Sequence, residues 1–227
     1  MTTIRVVDFE TTGLPPDAAV CEIGYYDVYP GADPWLSKGH GWRVNPGQPI
    51  LPEASAVHHL TDDDVRGYPP ASEILPNLLL GADMFAAHNA AFEQQFFPGG
   101  DKPWICTLKA ARRIWPDAPG HSNQTLRYWL KLSIFGDLAF PPHRSMPDAY
   151  VTACLLNALL AKATVEEMVQ WTKEPSLLPR VTFGKHRGKA WADLPVDYLD
   201  WLVSKSDMDE DTKFTARHWL KTSAGKR

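Results

Sequence analysis

Apolar and polar positions alternate from the first residues of the chain. Ile4, Val6, Val7 and Phe9 are set among Arg5, Asp8 and Glu10, which predicts a strand over residues 4–10 closing in the turn Thr12-Gly13-Leu14-Pro15-Pro16. Strand patterns follow at 20–29 and 41–45, separated by Pro30-Gly31-Ala32-Asp33-Pro34. Residues 72–80 have helical spacing, with Ser72 placed to cap it, and the short apolar run 84–87 suits a buried strand. Helical spacing returns at 91–96, 108–115, 124–130 and 147–162. Three early strands, then helices interleaved with one more strand, predict an α/β layer fold with a mixed central sheet. After Thr164 the texture changes. A helical stretch at 165–171 is followed by Pro175, Pro179, a compact segment at 182–189 and two more helical stretches at 196–204 and 210–220. The expected organisation is a main domain over 1–163 and a small, basic, mainly helical C-terminal unit over 164–227.

Composition adds limits rather than a function. The 227 residues are 44% hydrophobic and 22% charged, which is ordinary for a folded domain. No run of eighteen apolar residues occurs, so no membrane span is expected. The N-terminus enters a strand pattern directly, without a signal-peptide stretch. Cys21, Cys106 and Cys154 are too scattered for a disulfide framework or a zinc cluster, which points to reduced thiols and a cytoplasmic setting. The net charge of −4 hides an asymmetry: residues 1–100 carry 4 Lys/Arg against 13 Asp/Glu, and residues 101–227 carry 19 against 14. An acidic half suited to divalent cations precedes a basic half suited to phosphates, although solvated faces explain the same numbers equally well.

Three short motifs carry the chemistry. In Asp8-Phe9-Glu10-Thr11-Thr12-Gly13 the two acids lie two apart on a strand, so they project from one face about 7 Å apart at the base. Carboxylates held so close repel unless a cation lies between them, and magnesium and manganese take oxygen ligands. In His88-Asn89-Ala90-Ala91-Phe92-Glu93, Asn89 reads as an N-cap between strand and helix, which places Glu93 about one turn in. In His143-Arg144-Ser145-Met146-Pro147-Asp148, Pro147 reads as the first helical residue, with Met146 pushed outside the helix. Asp148 then lies in the first turn, where the helix dipole favours an ionised carboxylate, and His143 sits on the preceding loop. Each motif alone has a bland counterpart in solvated acids and an exposed histidine; the three in order do not.

Taken together these residues resemble the DnaQ-like 3′–5′ exonucleases of the DEDDh type. That family carries Asp-x-Glu-Thr-Thr-Gly, His-Asn-x-x-Phe-Asp, and a His followed five positions later by Asp. Val44-Asn45-Pro46-Gly47, Ile50-Leu51-Pro52-Glu53-Ala54 and His58-His59-Leu60-Thr61-Asp62-Asp63-Asp64-Val65 are similar to its connecting region. Trp104-Ile105-Cys106-Thr107 and Phe183-Gly184-Lys185-His186-Arg187-Gly188-Lys189 extend the likeness over nearly the whole chain. The resemblance implies a ribonuclease-H-like exonuclease fold that hydrolyses phosphodiester bonds from a free 3′ end of DNA. It implies two Mg2+ or Mn2+ ions about 4 Å apart, which orient the attacking water and stabilise the leaving 3′ oxygen. Asp8, Glu10 and Asp148 match the metal ligands, Glu93 stands where the family has its remaining Asp, and His143 matches the general base. Nucleic-acid contacts are implied at Thr11, Leu14, His58, Asn89 and Phe92. The basic residues Lys185, Arg187 and Lys189, flanked by Phe183 and Trp191, are further candidates for the DNA backbone. No membrane and no protein partner is called for.

The chain departs from the family at Glu93, one methylene longer than Asp, and at His58-His59, where the family has His-Gly. Other readings share these motifs: a 3′–5′ exoribonuclease of the same fold, a nucleic-acid-binding module impaired through Glu93, and a proofreading subunit for a separate polymerase. Gly184-x-x-x-Gly188-Lys189 is too short for a phosphate loop. His58, His59 and Asp62–Asp64 read as a surface turn, since tandem histidines on a strand face opposite ways.

Overall fold

The computed structural model describes residues 1–224. Its five-stranded sheet has the order β3-β2-β1-β4-β5 and is built in two moves. β1 (Ile4–Thr11), β2 (Val20–Val28) and β3 (His40–Arg43) form an antiparallel meander. The chain then crosses the sheet through α1 (Pro52–His58), α2 (Asp62–Val65), α3 (Ala71–Ile74) and a 3-10 turn at Leu75–Leu79. β4 (Met84–Ala87) adds parallel to β1 and, beyond α4 (Ala90–Glu93), β5 (Trp104–Cys106) adds parallel to β4. α5 (Thr107–Ile114), α6 (Asn123–Trp129) and α7 (Ser145–Leu160) follow. The mixed sheet expected from the pattern is present, with one strand more than predicted. β5 is three residues long and buried on both faces, so it carries no alternation to read.

Strand alternation sorts the core into two layers. Ile4 and Val6 of β1 join Tyr26, Val28, Ala86 and Ile105 in one cluster, which α5 and α7 cover. Val7 and Phe9 point the other way and meet Ile23, Phe85, Ala87 and Trp104. α7 is enclosed almost all round, with Val151, Leu155, Leu156 and Leu159 fully buried, as befits an apolar helix lying against the sheet. Each such side chain contributes about 1.5–3 kcal/mol of burial.

α8 (Val165–Lys173) corrects the boundary expected at residue 164. Its Met168 is fully buried in the large cluster, and Thr172 Oγ1 accepts from the Cys106 backbone N–H at 2.7 Å. α8 therefore packs with the main core. A separate small core begins later, with Val181, Trp191, Leu194, Leu199, Leu202 and Ala216 gathered around α9 (Val196–Ser204) and α10 (Glu210–Ala224). The two are joined through Arg113, whose guanidinium lies over the Phe214 ring of α10, and through Ser176, whose Oγ accepts from Arg112 and whose N–H donates to Asp211.

Candidate active site

Asp8 and Glu10 continue the face of Ile4 and Val6, so the same alternation that buries the core delivers both carboxylates to the α7 side of the sheet. A glycine on the neighbouring strand lets α7 come close. Gly24 pairs with Asp8 across the strands, and a Cβ there would lie 2.4 Å from the Ser145 carbonyl carbon. The first residue of α7 thus rests on the β2 backbone, and Asp148 follows in the first turn. One oxygen each from Asp8, Glu10 and Asp148 falls within 4.8 Å of the others.

Groups to which the motif reading assigned no role hold this geometry. Glu22, opposite Glu10 in register, receives Arg144 through two donors and the Ser145 N–H at 2.9 Å. Burial alone would raise the Glu22 carboxyl, but Arg144 and the Ser145 amide outweigh it and keep it below the ordinary value. Gln124 donates to Asp148 Oδ1 at 2.9 Å, and the His143 backbone N–H donates to Oδ2 at 2.7 Å. Sequence reasoning missed Glu22, Arg144 and Gln124. Glu22 alone left a signal, being an acid on a strand in the parity that faces Glu10.

The third motif folds differently from its sequence reading. α7 begins at Ser145 with Arg144 as its N-cap, so Met146 is helical and Pro147 is the third residue rather than the first. Proline costs nothing there, because the first four helical N–H groups lack partners within the helix. The Asp148 N–H makes the first helical bond, to Arg144 O at 3.0 Å. His143 lies outside the helix with a left-handed backbone (φ 59°) and an exposed side chain.

The second motif also differs. Asn89 adopts φ 84° and makes no side-chain capping bond; it serves as a left-handed hinge between β4 and α4, a conformation asparagine tolerates. His88 is locked between Thr107 and the His121 carbonyl, and burial lowers it to about 4, so it is a neutral structural group. Glu93 is 4% exposed, its Oε2 has no hydrogen-bond partner, and it lies beside rather than within the set of three carboxylates.

Among the described residues no free cation balances the four acids, since the nearby Arg144 is taken by Glu22. Burial, reinforced by the Glu10, Asp148 and Glu93 charges, holds Asp8 well above its ordinary range. Burial first, then the charges of Asp148 and Glu22, pushes Glu10 to about 8, and burial with the Glu10 charge pushes Glu93 to about 8. Asp148 is raised by burial against its hydrogen bonds. An all-oxygen donor set with an orphaned buried oxygen fits a hard divalent cation such as Mg2+ or Mn2+.

A stability prediction follows. In the metal-free protein these carboxylates bind protons that the unfolded chain has released above about pH 4.5, so the native state loses stability as pH rises toward about 8. Between about pH 7 and 8 the melting temperature in EDTA should fall by several degrees, while saturating Mg2+ should flatten the slope. Above about pH 7 the lowered histidines His58, His88 and His121 contribute little slope, because they are neutral in both states. Equal slopes with and without metal in thermal unfolding would contradict the site's electrostatics.

Beside the carboxylates lies a groove of about 720 Å³ walled by Phe9, Leu14, Leu51, Val57 and Phe92. Leu14 is 80% exposed, and Leu51 and Val57 are about half exposed. Thr11 is buried and bonds Gly13 O, while Asn89 is exposed. The surface-turn reading of His58-His59 holds only for His59, which closes α1 with φ 61°. His58 is 2% exposed, accepts from the Leu60 N–H and lies 3.2 Å from Thr11 O, so it supports the groove from below instead of presenting a free group to a ligand. Lys185, Arg187 and Lys189 are exposed on the C-terminal unit, with the buried His186 between them.

The family model described as exonuclease (RNase T) matches residues 6–156. Exodeoxyribonuclease 10 of Escherichia coli (strain K12) is 34% identical over 226 residues, covering 97% of this chain and 100% of the relative. A solved structure of exonuclease X in complex with 5′ overhanging duplex DNA superposes with a TM-score of 0.65 at 34% identity, covering 74% of this chain and 99% of that one. The nuclease domain of 3′hExo, a DEDDh family member bound to rAMP, shares the fold at a TM-score of 0.58 and 15% identity, covering 71% and 92%. Motif order, carboxylate geometry and a likeness running nearly end to end agree: the chain belongs to the DnaQ-like exonuclease family.

Proposed function

We propose that the protein hydrolyses phosphodiester bonds one after another from the 3′ end of DNA, with two divalent cations held by Asp8, Glu10, Glu93 and Asp148. The convergence of Asp8, Glu10 and Asp148 without a balancing cation, next to an open apolar groove, carries this reading. When bound, the cations supply Lewis-acid stabilisation of charge on the phosphate and the leaving 3′ oxygen. His143 takes the proton of the attacking water; its side chain is exposed, and its own backbone N–H orients Asp148. Leu14, Leu51 and Phe92 receive the terminal base and sugar by apolar contact. DNA is favoured over RNA by the near-full-length relative, named as an exodeoxyribonuclease. Three buried free thiols suit a reducing, cytoplasmic setting.

The experiment is digestion of end-labelled single- and double-stranded DNA and RNA with Mg2+, Mn2+ or EDTA. Stepwise loss from the 3′ end of DNA, abolished by EDTA, is expected. Full cleavage in EDTA, or cleavage of RNA alone, would refute the reading.

Glu93→Gln keeps the shape and removes the charge. It should lower the rate by roughly tenfold or more at limiting Mg2+, with the loss shrinking at saturation. A variant as active as the parent at limiting Mg2+ would remove Glu93 from the ligand set.

Neutralising Lys185, Arg187 and Lys189 together should weaken DNA binding and flatten its salt dependence, with saturated turnover retained. An unchanged salt slope would leave these residues a structural role only.

A further inference from the structure

A cleft of about 410 Å³ opens where the nuclease core meets the C-terminal unit, bounded by His88, Leu108, Arg112, His121, Leu178 and Arg180. Among the described residues, no Asp or Glu lines it. Its two arginines come from opposite sides of the seam, Arg112 from α5 and Arg180 from the segment leading into the C-terminal core.

Arg112 is the unusual member. It is half-buried, and among the described residues its one hydrogen bond is a donation from Nη1 to Ser176 Oγ at 2.5 Å. Among the described residues it forms no ion pair; Asp211, the acid that acts on it electrostatically, is held by the Ser176 N–H. Its neighbour Arg113 shows the ordinary alternative, paired to Glu174 at 2.6 Å and resting over Trp171. Withdrawing a guanidinium from water without a carboxylate is unfavourable unless an anion completes it. The guanidinium fork matches phosphate oxygens two at a time. Arg180 adds an exposed second fork whose guanidinium, among the described residues, bonds only Gly188 O.

The cleft is tied to the catalytic site through residues next along the chain from its lining. Its rim residue Ser122 is followed by Asn123 and Gln124, both of which bond Asp148, and its rim residue His88 precedes the Asn89 hinge. We infer that the cleft is a second phosphate site, in which Arg112 and Arg180 hold a backbone phosphate of the substrate strand on the 5′ side of the scissile bond. This rests on the exonuclease reading and extends it: the C-terminal unit completes a track for the strand rather than merely adding positive charge.

The test compares two substrates on the full chain with Mg2+. The p-nitrophenyl ester of thymidine 5′-monophosphate fills the scissile position alone, whereas a long single-stranded oligonucleotide also reaches the cleft. Arg112→Gln/Arg180→Gln should lower kcat/KM on the oligonucleotide by roughly 10–100-fold, chiefly through KM. Its salt slope should fall by about one, and ester hydrolysis should be unchanged. Arg180→Gln alone, at an exposed position, should give a smaller loss of the same kind, which keeps the test decisive if the double variant folds poorly. A methylphosphonate placed at successive positions should slow the parent at one position upstream of the scissile bond and leave the double variant insensitive there. Unchanged oligonucleotide kinetics in Arg180→Gln and the double variant, or an equal loss on both substrates, would overturn the inference. A parent that cleaves neither substrate would overturn the exonuclease reading and this inference with it.

Discussion

Asp8→Asn is expected to abolish nuclease activity and yet, without metal at about pH 8, to melt higher than the parent. Asp8 is wedged among Glu10, Asp148 and Glu93, and burial plus those charges makes its ionised form costly in the absence of a cation. A neutral isostere relieves that repulsion while filling the same space. On the proposed reading, however, the metal site loses one of its ligands, and the charge stabilisation it supplies is several kcal/mol, about 10³-fold or more in rate. Turnover of end-labelled DNA and thermal unfolding in EDTA read the two halves of the prediction. A variant within tenfold of parental activity would remove Asp8 from the chemistry. A variant that melts lower at this pH would mean that the four acids do not repel as their burial requires.

The second large effect is expected at His143. His143→Ala should lower kcat by roughly 10²–10⁴ while Mg2+ still raises the melting temperature, because the proposed general base is lost and the carboxylates are not. The backbone N–H of residue 143, which bonds Asp148 Oδ2, is retained by alanine and asparagine alike. The left-handed φ of 59° makes alanine mildly strained, so His143→Asn, which tolerates that conformation, is the better control. Both variants should lose the same factor in kcat, together with the limb of the pH–rate profile that reports the base. If His143→Asn turns over at nearly the parental rate, the imidazole is a bystander and another group takes the proton.

The sequence by itself determined the sheet-borne half of the site. Side chains two apart on a strand must share a face, so Asp8-Phe9-Glu10 already places two carboxylates together, and the apolar run at 84–87 already marks the strand beside them. Motif order determined the family, because four acids and a histidine in that succession resemble one kind of metal site. Local pattern failed wherever a residue's role depends on a partner far along the chain. Glu22 and Arg144 are 122 positions apart, and their pairing exists only because α7 docks on β2 at Gly24, a contact no sequence window contains. His58 looked like an exposed turn until Thr11 and Leu60 closed over it, and Glu93 acquired its orphaned oxygen from burial that α4 alone does not specify. α8 read as the start of a new unit because prolines follow it, yet its apolar face completes the older core beside β5. The division has one physical cause. Alternation and capping are set by neighbouring bonds, whereas burial, pairing and charge balance are set by how whole elements pack.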